Sequence, residues 1–321
     1  MKILDGLDSL RTLPPGSVMS IGNFDGLHRG HARILELARE LRGDGAHVVV
    51  VTFEPHPLTI LRPNDVLPRL TPVPRKRELL EEAGVDVLIE LPPAKDVLNV
   101  SAEEFWRIIR DGARPSHLIE GDNFNFGRGR EGTIERLREW SSGSNVALHV
   151  IEPVTVALLD LQIVEVNSSL IRWLLQHGRV RDAAICLGRP YELTGTVVEG
   201  FRRGNAIGVP TANLRPEDQL VPGDGVYAGR CAVDDTNYPA AISIGNLPTF
   251  GGSARQVEAH LLGFTGDIYG RLLTIQLTDW VRQQRRFPGI DQLKSQIARD
   301  LDEVRRRVSL APSKPIVPVS G

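Results

Sequence analysis

The chain has 321 residues, 41% of them apolar and 24% charged, with a formal net charge of −2. That length suits two domains with real cores, and the near-neutral balance excludes a broad basic field for nucleic acid. Two distant cysteines, Cys186 and Cys231, make neither a disulfide framework nor a zinc pattern. The opening MKILDGLDSLRTLPPGS lacks the apolar centre of a signal peptide, and no apolar run approaches the ~20 residues of a membrane helix. The expected address is the cytoplasm, with no membrane partner.

In chain order, VMSIG (18–22) and HVVVVTF (47–53) read as short β-rich runs. Between them, ARILELARELRGDG sets Ile34, Leu37, Ala38 and Leu41 at helical spacing, with Gly43 as the stop. VDVLIEL (85–91), HLIEG (117–121) and VALHVI (146–151) read as further strands. SAEEFWRIIRDG opens with Ser101 and Glu104 in capping-box spacing and carries Phe105, Ile108 and Ile109. Strand–helix alternation with β-branched apolar runs argues for a parallel sheet covered by helices.

Near Leu187 the pattern changes. YELTGTVVEG, GVYAGRCAV, YPAAISIG, QVEAHLLGF and RLLTIQLTDWV are strand-like runs separated by Gly, Pro, Asn and Asp. They predict a small antiparallel barrel. One helix closes it, with Leu293, Ile297, Leu301, Val304 and Val308 on one face, and the proline-rich APSKPIVPVSG is expected to be a flexible tail. No internal repeat is present.

The stretch GNFDGLHRGH (22–31) places a glycine-rich turn between a strand and a helix, where open parallel sheets bind ligands. Gly26 and Gly30 let backbone approach a phosphate, and the following helix offers N–H groups and the positive end of its dipole. His28 and His31 can then face one anion and offset charge growing on a leaving pyrophosphate. Two surface histidines near a helix start are the plainer alternative, which the flanking GNFDG disfavours.

GNFDGLHRGH resembles the H-x-G-H signature of the nucleotidyltransferase superfamily, and more narrowly the FMN adenylyltransferase half of the bacterial bifunctional riboflavin kinase/FAD synthetases. VVTFEPHP (50–57), EGDNFNFGRGREG (120–132) and NSSLIR (167–172) resemble further blocks of that family in order. The resemblance implies an N-terminal Rossmann-like nucleotidyltransferase domain over 1–186. Its ATP and phosphate contacts would come from Gly22, Asn23, Phe24, Gly30, Asn123, Ser168, Ser169 and Arg172. Asn123 suits a phosphate or a base; Asp122 either points away or helps bind metal. Phe124 and Phe126 either line a flavin site or pack the core. Ser168, Ser169 and Arg172 at a helix start can converge on one phosphate, although Ser and Asn are also ordinary caps. Ser169 stands where the family usually has threonine, one hydroxyl for another. Pro55-His56-Pro57 reads as a shaped loop rather than a catalytic histidine.

GRPYELTGTVVEGFRRGNAIGVPTANL (188–214) resembles the opening of the riboflavin kinase domain, expected over 187–310 with the tail at 311–321. GVYAG, SIGNLPTFGG, VEAHLLGFTGDIYG and RRFPGIDQLKSQIARD resemble its later blocks in order. Thr211 and Asn213, two apart on an extended segment, point to one side and offer hard oxygens suited to Mg²⁺ held mainly by ATP phosphates. Pro210 fixes the entry angle. The resemblance implies further ATP and flavin contacts from Arg203, Gly204, Gly208 and Pro210, and makes Glu258 the base for the riboflavin hydroxyl, with His260 on its face. Asn205 departs from the family's usual arginine or lysine, with Arg202 and Arg203 close enough to compensate, and Gly263 stands where aspartate is common. The implied activity is phosphorylation of riboflavin to FMN and adenylylation of FMN to FAD. A flavin- or nucleotide-binding protein with one inactive site is the alternative, with Asn205 its best support.

Overall fold

The computed structural model of the chain describes residues 1–61, 64, 67–199, 208–246 and 255–310. They divide into two compact units, Met1–Leu67 with Val73–Thr155, and Pro68–Pro72 with Val156 onward.

In the first unit the strands are β1 (Lys2–Asp5), β2 (Val18–Ile21), β3 (Val48–Phe53), β4 (Val87–Leu91), β5 (His117–Gly121), the short pair β6 (Asn125–Phe126) and β7 (Gly132–Thr133), and β8 (Ala147–Ile151). Six of them form one parallel sheet in the order β1-β4-β3-β2-β5-β8. The helices are α1 (Arg29–Glu40), α2 (Leu58–Leu61), α3 (Val73–Glu82), α4 (Lys95–Leu98), α5 (Ala102–Arg107) and α6 (Ile134–Ser142). The valine run of β3 has no polar alternation because both faces are covered. Val49 and Val51 enter a core with Phe105, Trp106 and Ile109, while Val48 and Val50 enter another with Leu35 and Ala38 of α1 and Leu79 and Leu80 of α3.

The structure departs from the sequence reading in three places here. β1 had no signal: only four residues long, it is mostly exposed and depends on its parallel pairing with β4. α1 stops at Glu40, before Gly43, and its buried residues are Leu35 and Ala38. Ser101 does cap α5, its Oγ accepting the Glu104 N–H at 3.2 Å, but after Arg107 the helix widens into a π-turn over Ile108–Ala113.

His117 and His149, on neighbouring strands, lie 3.0 Å apart from Nδ1 to Nε2. Burial, and then the neighbouring His117, hold His149 below its ordinary 6.5. The unfolded chain therefore takes up this proton first, so stability falls as pH drops below 6.5. A urea-midpoint series against pH should show that fall, and His149→Gln should flatten part of it.

In the second unit, β9 (Thr155–Ala157), whose first residue belongs to the first unit, and β10 (Ile163–Glu165) form a hairpin, followed by α7 (Ser168–Gln176) and α8 (Val180–Leu187). Then come β11 (Tyr191–Val198), β12 (Ala212–Pro216), β13 (Gly225–Val233), β14 (Thr236–Asn246), β15 (Arg255–Leu261) and β16 (Leu272–Arg282). They close as an antiparallel barrel in the order β11-β12-β15-β14-β13-β16, with β16 returning to β11. Alternate residues fill it, Leu193, Val197, Leu214, Ile242, Val257 and Ile275 among them. The segment Pro68–Pro72 belongs to this unit. Leu220 N–H donates to the Arg69 carbonyl at 2.8 Å, and Gln219 Nε2 to that of Leu70 at 3.2 Å.

The helix α9 (Ile290–Leu310) packs on the barrel through Val304 and Val308, with Leu301 partly buried. Leu293 and Ile297 are only half-buried, and Asp300 falls on the packed face. Asp300 accepts Arg282 Nε and Nη2 at 2.9 and 2.7 Å and Gln296 Nε2 at 2.8 Å. Asp300→Ala leaves Arg282 unpaired beside the core, so thermal and urea unfolding should show a loss of about 3 kcal/mol. The tail 311–321 lies outside the described residues.

Candidate active sites

In the first unit β2 ends at Ile21, and Gly22 N–H still pairs with the Val51 carbonyl at 2.9 Å. The chain then reverses through three left-handed residues, Phe24 (φ 48°), Gly26 (φ 82°) and Leu27 (φ 38°). Only glycine takes that region without cost; Phe24 is held there because its ring is buried in the core. A Cβ on Gly22 would lie 3.3 Å from that ring. Thr52 Oγ1 donates to the Asn23 carbonyl at 3.2 Å, tying the turn to β3.

His28 is the N-cap of α1, and Gly30 is the helix's second residue. His28 and His31 stack with ring centroids 3.7 Å apart and planes 18° apart, and the Phe24 ring lies 4.9 Å from His31. Asn23, Phe24, His28 and His31 thus lie together in the turn between β2 and the first turn of α1.

A cavity of about 570 Å³ opens beside this turn. Asn23, His56 and Asn123 supply polar wall, and Phe53, Phe105, Phe124 and Phe126 supply aromatic wall. Phe124 and Phe126 stack at 5.5 Å, and Phe126 both lines the cavity and packs in the core. Gly127 follows at φ 73°, where a Cβ would lie 2.6 Å from Ala102 backbone; glycine alone lets this loop sit on α5. Asp122 is exposed and is not part of the wall.

The Pro55-His56-Pro57 loop is indeed shaped, since His56 Nδ1 accepts the Leu58 N–H at 3.1 Å. Nothing in the sequence signals that the same ring lines the cavity, its Nε2 lying 3.0 Å from Asn23 Nδ2.

Ser168, Ser169 and Arg172 fall in the second unit. The cap of α7 is Asn167, whose Oδ1 accepts the Leu170 N–H at 2.8 Å. Ser168 and Ser169 are the first two helical residues, and Arg172 is buried with Nε donating to the Pro68 carbonyl at 3.1 Å.

On the barrel, Thr211 and Asn213 alternate with buried Ala212 and Leu214 and are half-buried on the outer face. Asn213 on β12 lies directly opposite Glu258 on β15, and Glu258 lies opposite Ser243 on β14. Directly opposed residues share a face, so the three form one row across the barrel wall. Gln284 Nε2 donates to Ser243 Oγ at 2.9 Å. His260 Nδ1 donates to the Pro210 carbonyl at 2.7 Å, fixing where β12 begins. Gly208 has φ 80°, while Arg202, Arg203, Gly204 and Asn205 lie outside the described residues. Gly263 turns at φ 83°, a region that glycine and, next to it, aspartate tolerate, which accounts for that departure.

The first unit thus carries a histidine-bearing turn at the strand ends of a parallel sheet, and the second a closed barrel with Asn213 and Glu258 side by side. Residues 10–162 match the FAD synthetase family and residues 187–308 the riboflavin kinase family. The bifunctional riboflavin kinase/FMN adenylyltransferase of Escherichia coli (strain K12) is 34% identical over 304 residues, 94% of this chain and 96% of its own. Its namesake in Pseudomonas fluorescens is 35% identical over 308 residues, 95% of this chain and 97% of its own. A crystal structure named macrolide-efflux protein, from Streptococcus pneumoniae, matches with TM-score 0.85 at 28% identity, over 95% of this chain and 99% of its own. Among the described residues no helix is long and apolar enough to cross a membrane. The chain belongs to the bifunctional riboflavin kinase/FMN adenylyltransferase family.

Proposed function

We propose that the chain makes FMN from riboflavin and ATP on its barrel, within residues 187–310, and FAD from FMN and ATP with release of pyrophosphate within residues 1–186. The observation that carries the reading is the pairing of Asn213 with Glu258, an amide beside a carboxylate on adjacent strands. Glu258 accepts the proton of the riboflavin hydroxyl as it attacks the γ-phosphate. Thr211 and Asn213 offer neutral hard oxygens, a set that fits Mg²⁺ shared with nucleotide phosphates. No group of three or more His, Cys, Asp or Glu that could cage a metal lies among the described residues. When bound, the ion would neutralise phosphate charge.

In the first unit the aromatic cavity suits the flavin ring. His28 and His31 donate hydrogen bonds to ATP phosphates, and the opening turn of α1 adds backbone donors. Asn23 and Asn123 bind without the repulsion a carboxylate would bring. Small molecules are the partners, nucleic acid is not, and the cytoplasm is the place of action.

Chromatography of products from riboflavin, ATP and Mg²⁺ tests the reading. FMN followed by FAD is the expected result. FMN without FAD, or neither, leaves the alternative of a binding protein with an inactive site.

A further inference from the structure

Glu120 is the penultimate residue of β5, and its side chain is only 1% exposed. Its Oε1 accepts the Ile21 N–H at 2.8 Å. Two influences act on this carboxyl: burial, which pushes it well above the ordinary carboxylate range, and the Ile21 N–H, which opposes that. Among the described residues no cation offsets the burial.

The place matters. β2 sends its crossover through α1 to β3 on one side, and β5 flanks it on the other, so the boundary between β2 and β5 is the switch point of the sheet. β2 keeps four pairs with β3, and β5 keeps five with β8. Between β2 and β5 only Val18↔His117 and Met19↔Leu118 remain. Alternate N–H groups of a strand face alternate neighbours. Gly22 N–H reaches Val51 on β3, so Ile21 N–H faces β5, where the ladder has already stopped. The Glu120 side chain takes the missing place.

One residue beyond Ile21 the chain becomes the Gly22–Asn23 wall of the cavity, and three residues beyond Glu120 it becomes the Asn123–Phe126 wall. One hydrogen bond at the floor therefore spans both walls. We propose that Glu120 is a positioning residue for FAD formation, setting the gap between the histidine-bearing turn and the aromatic wall. The proposal rests on reading the first unit as the FMN adenylyltransferase.

Glu120→Gln keeps the carbonyl oxygen and the reach without a charge. Glu120→Val suits a strand but strands the Ile21 N–H without an acceptor. In FAD formation from FMN and ATP, E120Q should stay near wild type. E120V should lose about tenfold or more in kcat/KM for FMN, carried by KM more than kcat. Both should form FMN from riboflavin at the wild-type rate. FMN binding, read by flavin fluorescence, should weaken in E120V alone. E120Q failing together with E120V, or E120V binding FMN like wild type, overturns the proposal. Should E120V not fold, Glu120→Asp, one methylene too short, is expected to bind FMN weakly, and wild-type binding by E120D overturns it equally. A wild type that binds FMN but forms no FAD instead refutes the assignment of the unit, while the binding comparison still decides Glu120.

Discussion

Replacing His28 or His31 by alanine should abolish FAD formation for practical purposes while FMN formation continues. Each well-aimed donor to a developing anion is worth ~10²–10³ in rate. The stacked rings, 3.7 Å apart, act as one unit. Removing either ring takes away the face on which the other stacks. The double variant should therefore be little worse than either single one, a non-additivity expected of groups that work together. The assay is FAD made from supplied FMN and ATP, run beside FMN made from riboflavin in the same preparation. Equal loss of both activities in a folded variant would sink the two-site account.

Glu258→Gln should strike the other activity. The amide keeps the shape of the side chain and its place between Asn213 and Ser243 but cannot take up the hydroxyl proton. General base catalysis is typically worth ~10²–10⁴-fold, and FMN formation should fall by that factor. ATP binding should change little, and FAD formation from supplied FMN should stay near wild type. A folding defect would disturb ATP binding as well, so the three measurements separate the explanations. If the variant keeps most of its kinase rate, Glu258 is a wall residue and phosphoryl transfer proceeds without this base.

Much of this architecture was readable because burial writes itself into sequence. The valines of β3 announce a strand covered on both faces, and the alternation in Tyr191–Val198 announces a barrel wall. The turn at 22–31 was readable because its glycines and histidines serve few other purposes at that spacing. What stayed hidden depends on pairing across long separations. Asn213 and Glu258 are 45 residues apart, and only the register of β12 on β15 makes them neighbours. Asp300 breaks the apolar stripe of α9 because Arg282, on another element, answers its charge. Glu120 looks like a solvent-facing strand end until β2 is placed beside it. Ser168 and Ser169 did open a helix, but the capping role fell to Asn167, one residue earlier.

The assignment of Pro68–Pro72 to the barrel-bearing unit has a consequence for anyone cutting the gene in two. The unit is not a cassette. A fragment starting at Val156 omits five residues of its own fold, with them the carbonyls that receive Arg172, Leu220 and Gln219. Those donors would then have to find water or stay unsatisfied. During synthesis the five residues leave the ribosome some ninety positions ahead of the rest of their unit, so that unit cannot be completed until its later part arrives. Separate expression of the two halves should therefore yield a C-terminal product less stable than its share of the intact chain, and grafting the short segment back should restore part of the loss.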